Sequence, residues 1–113
     1  MIRMPSELEK DLVEECRKSA EAMNAFLAVV GQRNAKKSGS TLGFPDLVLI
    51  CNGRIELIEC KRTKTADTPK GVLNLGQIAF IGKCLEYGVR VHAIDTVREF
   101  EEIVNSCRRP RRT

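Results

Sequence analysis

Apolar and polar residues alternate at two different periods along this chain, and the change of period divides it into elements. Leu8, Leu12, Val13, Cys16, Ala20 and Met23 recur at helical spacing. Ser6 precedes them as a good N-cap, and Glu9 three residues on completes a capping box. Phe26 to Val30 is short and β-prone, a first strand ending near Gln32-Arg33. Residues 34–44 read as a mobile polar loop. Two apolar runs follow, residues 46–51 and 54–61, separated only by Asn52-Gly53. Asn-Gly between strand-like runs is a strong hairpin signal, because both turn residues must take positive φ. A second loop spans 62–74 and contains Pro69 and Gly71. Gln77 to Tyr87 predicts a helix that buries Ile78, Phe80, Ile81, Cys84 and Leu85, with Gly88 as its stop. Val89 to Ile94 predicts a strand parallel to the one that carries Glu59, joined to it by a right-handed crossover. Asp95 or Thr96 caps a last helix, with Val97, Phe100, Ile103, Val104 and Cys107 as its apolar stripe. The expected fold is α/β, a mixed sheet flanked by helices in the order αβββαβα.

The hairpin carries the chemistry. If Cys51 pairs with Arg54, opposed residues have numbers that sum to 105, and Asp46 opposes Glu59. Opposed residues share a sheet face, with Cβ atoms roughly 4.5–5.5 Å apart. Lys61 returns to that face two residues later, because strand side chains alternate. Cys60 and Ile58 point to the other face, which assigns their side chains to the core. Two like charges facing each other are destabilising and call for a counter-charge. A divalent cation that prefers hard oxygen ligands would supply one.

Composition narrows the classes. At 113 residues the chain is expected to form one domain, with a core from about residue 6 to 107 and a basic tail over 108–113. Its five cysteines are widely spaced, with no C-x-x-C, and it has one histidine. That pattern favours reduced cytoplasmic thiols over a disulfide frame or a zinc site. No apolar run approaches the roughly 18 residues of a membrane span, and the first residues lack the apolar core of a signal peptide. The net charge is +4, but its distribution says more. Residues 7–21 are mainly acidic, while lysine and arginine gather at 33–37, at 61–64 and at 108–112. Basic clusters around an acidic pair suit a polyanion gripped at its rim. With four phenylalanines, one tyrosine and no tryptophan, the chain is poorly equipped to stack single-stranded bases. His92 lies in the last strand without a partner motif and is assigned a structural role.

Gly43-Phe44-Pro45-Asp46, then twelve residues, then Glu59-Cys60-Lys61, forms a PD-(D/E)xK motif. With Gln77 at the start of the following helix, the chain resembles the virus-type replication-repair nuclease (VRR-Nuc) domains over nearly its whole length. The resemblance implies a restriction-endonuclease-like fold and metal-dependent hydrolysis of DNA phosphodiesters. It also implies a homodimer in a bacterial or phage setting, acting in repair or phage DNA processing. Branched DNA such as four-way (Holliday) junctions is among the substrates it implies. The exposed part of the first or last helix is the expected dimer surface.

On this resemblance Asp46 and Glu59 bind Mg²⁺ or Mn²⁺ with the Cys60 carbonyl and waters. Lys61 orients the attacking water, acts as a base or stabilises the phosphate. Gln77 positions a phosphate or the water at a helix N-terminus. Glu9, within Glu9-Lys10-Asp11-Leu12, matches an acidic position that the family carries on its first helix, which the resemblance makes a further metal ligand, and Glu7 is the alternative. Arg33-Asn34 resembles a family segment just after the first strand. Lys36, Lys37, Arg62, Lys64 and Lys70 are the expected backbone-phosphate contacts, which position DNA without reading its sequence. Two other readings stay open: a non-catalytic DNA-docking module that keeps the nuclease fold, and a nuclease of RNA or of DNA ends.

Overall fold

The computed structural model describes residues 5–30, 44–61, 73 and 75–109, with side chains from residue 8 onward. Arg33, Asn34, Lys36, Lys37, Arg62, Lys64 and Lys70 lie outside the described residues, as do the loops that hold them, the side chain of Glu7 and tail residues 110–113. Among the described residues, seven elements follow in the expected order: α1 (Pro5–Ala22), β1 (Phe26–Val29), β2 (Leu47–Cys51), β3 (Arg54–Cys60), α2 (Leu75–Glu86), β4 (Val91–Ile94) and α3 (Val97–Arg108). The sheet runs β1-β2-β3-β4, antiparallel at its first two interfaces and parallel at β3/β4.

The hairpin takes the expected register, Cys51 opposite Arg54 and Leu47 opposite Ile58. Its turn needs two left-handed residues and has them, with φ 52° at Asn52 and 73° at Gly53. Asparagine tolerates that region better than most residues, and glycine enters it at no steric cost. Gly88 ends α2 at φ 78°, again as expected. Thr96, not Asp95, caps α3: its side chain accepts from the Glu99 N–H, and Glu99 accepts in return from the Thr96 N–H. α1 begins at Pro5, one residue before the expected N-cap, and proline suits a first helical turn because its missing N–H would be unbonded there.

α1 and α3 pack side by side on one face of the sheet. Leu12, Cys16 and Ala20 of α1 meet Phe100, Val104 and Cys107 of α3 over Leu47, Leu49, Ile58, Cys60 and Ile94. Ser19 ties the two helices by donating to Glu101 at 2.6 Å. Arg54 reaches from the hairpin to the end of α3 and donates to the carbonyls of Ser106 and Cys107, at 3.1 and 2.7 Å. A cation at a helix C-terminus satisfies carbonyls that the helix leaves unbonded.

α2 departs from expectation. It begins two residues early and buries a polar side chain, Gln77, while Ile78 and Leu85 stand 53% and 63% exposed. Phe80, Ile81 and Cys84 are half-buried. The helix is apolar nearly all round, so periodicity could not say which stripe faces the sheet. Its docking is set instead by an edge-to-face contact between Phe44 and Phe80, with centroids 5.4 Å apart, and by Gln77 over β3.

The large exposed apolar residues, among those described, avoid α1 and α3. They are Phe26, Val29, Ile50, Ile55, Leu75, Ile78, Leu85, Tyr87 and Val89. Phe26, Ile50 and Ile55 are register partners and form a row across β1, β2 and β3. The row lies on the face away from α1 and α3. The apolar stripes of α1 and α3 are spent on the core.

Candidate active site

The site forms where the hairpin strands end, opposite the turn. Asp46 sits one residue before β2, fastened on both sides. Its carbonyl accepts from the Val30 N–H at 2.7 Å, and its carboxylate accepts from the Cys60 N–H at 2.9 Å. Pro45 before it is fully buried, which anchors the approach. Continuing the register by one residue places Asp46 opposite Glu59, as the sequence predicts.

Glu59 is 3% exposed. Gln77 Nε2 donates to its Oε1 at 2.6 Å, while its buried Oε2 has no hydrogen-bond partner. An unpartnered buried carboxylate oxygen costs about 1–3 kcal/mol or more. Burial, followed by the neighbouring Asp46 carboxylate, pushes the Glu59 carboxyl up to about 9, against the pull of the Lys61 ammonium. Without a counter-ion, Glu59 therefore holds a proton at neutral pH.

Lys61 follows β3, and its backbone N–H donates to the Ile94 carbonyl at 2.8 Å, extending the bond to β4. Its side chain is only 13% exposed and its ammonium lies 3.1 Å from the Glu9 carboxylate. α1 thus delivers Glu9 to the site from the far side of the sheet's end. The Glu9 carboxylate pairs with the Lys61 ammonium, which brings this first-helix acid to the end of β3. Gln77 touches Glu59 directly and stands in a helix's first turn; its described contact is to the carboxylate.

Asp46, Glu59, Lys61, Gln77 and Glu9 are thereby brought together from four parts of the chain. The Cys60 side chain is fully buried against Cys16, and that thiol together with burial pushes it well above the ordinary thiol range. It belongs to the core, leaving its backbone carbonyl as the group facing the site's end of the strand. Among the described residues no three His, Cys, Asp or Glu side chains gather as a metal cage. The residues present still fit Mg²⁺ or Mn²⁺: a carboxylate pair, one oxygen of it buried and unpartnered, is what an ion that keeps several waters requires.

Sequence reasoning missed two contacts. His92 Nε2 lies 3.0 Å from Glu56, a pairing one strand over in the parallel β3/β4 register. Arg54 caps α3 from 52 residues away. The alternation in β3 does put Glu56 and Arg54 on the helix-covered face, but only the packing of α3 and β4 supplies their partners.

No family model matches the chain, and no curated protein is significantly similar to it in sequence. One solved structure, described as a VRR_NUC domain protein, shares the fold with a TM-score of 0.62 over 93% of this chain and 88% of that one, at 14% identity. The chain therefore has the nuclease-like αβββαβα fold that its Asp46…Glu59-Cys60-Lys61 motif implied.

Proposed function

We propose that this protein is a metal-dependent endodeoxyribonuclease that hydrolyses DNA phosphodiesters, with selectivity for branched DNA such as four-way junctions, and that it acts as a homodimer. The observation that carries the reading is the convergence of Asp46, Glu59, Lys61 and Gln77 at one end of the sheet, with Glu59 Oε2 buried and unpartnered. A solvated pair of surface acids would bring neither a donor locked onto one oxygen nor an orphan on the other.

Asp46 and Glu59 would hold Mg²⁺ or Mn²⁺, with the Cys60 carbonyl as a further ligand. The bound ion would acidify a water and offset negative charge on the phosphate. Gln77 keeps Glu59 in one orientation, which lowers the cost of assembling the site. Lys61 reaches the same face and can orient the attacking water, take its proton or stabilise charge on the phosphate. Glu9 holds the Lys61 ammonium in position. Arg33, Asn34, Lys36, Lys37, Arg62, Lys64 and Lys70 would supply contacts to the DNA backbone, which position DNA without reading its sequence.

Support for the homodimer comes from the exposed row Phe26, Ile50 and Ile55 and the outer side of α2, because exposed apolar patches of this kind mark association surfaces. A two-fold dimer would present two sites and make paired cuts in a symmetric junction.

The test is cleavage of a labelled set: duplex, flap, single strand and an immobile four-way junction, with RNA counterparts, in Mg²⁺, Mn²⁺ or EDTA, with Glu59→Ala alongside. Metal-dependent cutting of DNA that the substitution abolishes is the expected outcome, with symmetric cuts in the junction. Tight binding without cutting in any metal would move the assignment to a docking module. Faster cutting of the RNA set would move it to an RNA nuclease.

A further inference from the structure

All five cysteines are free thiols, and four of them, Cys16, Cys60, Cys51 and Cys107, lie in or against the core that joins α1 and α3 to the sheet. Cys16 and Cys60 lie in the core at 0% exposure, where an oxidant cannot reach them. The other pair sits at the hairpin end. Cys51 closes β2 and follows Leu47 and Leu49 at two-residue spacing onto the helix-covered face, where it packs against the core yet stays partly accessible. Cys107 follows Phe100 and Val104 down the buried stripe of α3 and is 1% exposed. The Cys107 thiol donates to the Cys51 carbonyl at 3.2 Å. Arg54, the register partner of Cys51, clamps this arrangement by donating to the carbonyls of Ser106 and Cys107. The end of α3 is thus pinned over the turn, with the Cys107 sulfur 3.2 Å from the backbone oxygen of Cys51 and both residues in the helix-covered layer.

We propose that Cys51 and Cys107 form a reversible intramolecular disulfide, which makes the hairpin end of this molecule an oxidation site for peroxide-class oxidants. Cys51, the more accessible thiol, reacts first. Its thiolate attacks one peroxide oxygen: an S–O bond forms, the O–O bond breaks, and the second oxygen leaves as hydroxide, which takes up the proton the Cys51 thiol released and becomes water. The Cys107 sulfur then attacks the Cys51 sulfenic acid: the S–S bond forms, the S–O bond breaks, and water leaves carrying the Cys107 proton. Two electrons pass from the two thiols to one peroxide. Burial, then the Cys51 thiol, holds the Cys107 thiol above its usual range, so Cys107 acts as the resolving partner and not the point of entry. The bond would close a separation of 56 residues and restrict the unfolded chain accordingly. It would latch α3, and the arginine-rich tail after it, to the β2–β3 turn. Disulfides in reducing compartments are mostly transient and redox-sensing, which suits a pair with one accessible member.

The experiment treats the full chain with a few equivalents of hydrogen peroxide, alkylates the remaining thiols and maps the peptides by mass. A Cys51–Cys107 cross-link is expected, with a loss of about 2 Da, a higher melting temperature, and reversal of both by dithiothreitol. Cys51→Ser is expected to lose the cross-link and the thermal shift. The proposal is overturned if Cys51 proceeds to sulfinic acid or joins a second chain while Cys107 stays alkylatable. It is equally overturned if both thiols stay alkylatable after a treatment that oxidises free cysteine. These readouts do not involve DNA cleavage, so they stand apart from the nuclease reading.

Discussion

Glu59 sets the behaviour of the site because its two carboxylate oxygens live in different worlds, one locked to Gln77 and one buried without a partner. In the unfolded chain its carboxyl has the ordinary value of 4.5, and in the folded protein burial and Asp46 push it up to about 9. Between those values the folded form keeps a proton that the unfolded form has released. The stability of the metal-free protein therefore falls as pH rises across that window and levels off above it. Thermal melts in EDTA at pH 5 and pH 8.5 are expected to show this decline, and Glu59→Gln is expected to flatten it. The same substitution should raise stability at pH 8 by about 1–3 kcal/mol and lower cleavage at least about a hundredfold. A second outcome follows from the same proton. An ion entering between Asp46 and Glu59 must displace it, so Mn²⁺ binding at pH 7 should release about one proton per ion. Calorimetry in two buffers of different ionisation heat measures that number. A release of zero would remove Glu59 from the ligand set.

At the scale of elements, α1 and α3 are defined by their apolar stripes and α2 is not. α3 combines a capping box at Thr96 and Glu99 with a stripe, Phe100, Val104 and Cys107, that is buried almost completely. Thr96→Ala should cost about 1 kcal/mol and Phe100→Ala about 3–5 kcal/mol, read by urea denaturation. A loss at Thr96 well under half that size would mean that Arg54 and the core hold the helix without its cap. Among the described residues, α2 is held by Phe44 against Phe80 and by Gln77 on Glu59. It holds Glu59 through Gln77 and carries the exposed apolar side chains Leu75, Ile78 and Leu85.

For the whole molecule, the sheet divides labour between its faces. One face carries α1, α3 and the core. The other carries Asp46 and Glu59 at one end and the uncovered row Phe26, Ile50 and Ile55 at the other. On the proposed reading a second copy covers the row and the outer side of α2. Light scattering after gel filtration is expected to give a dimer at micromolar concentration. Ile55→Glu with Ile78→Glu should give a monomer that still nicks DNA but no longer makes paired junction cuts. A wild-type monomer would remove the junction-resolving part of the proposal while leaving the site itself in place.

Local chemistry sufficed for the hairpin and its consequences. Asn52-Gly53 admits one tight turn, that turn sets the register, and the register puts Asp46 opposite Glu59 with Lys61 on the same face. The stripes of α1 and α3, the stop at Gly88 and the parallel β4 were legible for the same reason: each depends on a few residues close in sequence or on a fixed handedness. Contacts between distant residues were decided by packing. Nothing near Gln77 says that it reaches Glu59 and not solvent. Nothing near Glu9 says that its carboxylate pairs with Lys61, nor anything near Arg54 that it caps α3. An all-round apolar helix such as α2 leaves its buried side undetermined until Phe44 and the sheet choose it. That choice turned Ile78 and Leu85 of the predicted core stripe outward and placed a glutamine where it holds one oxygen of Glu59 and leaves the other buried and unpartnered.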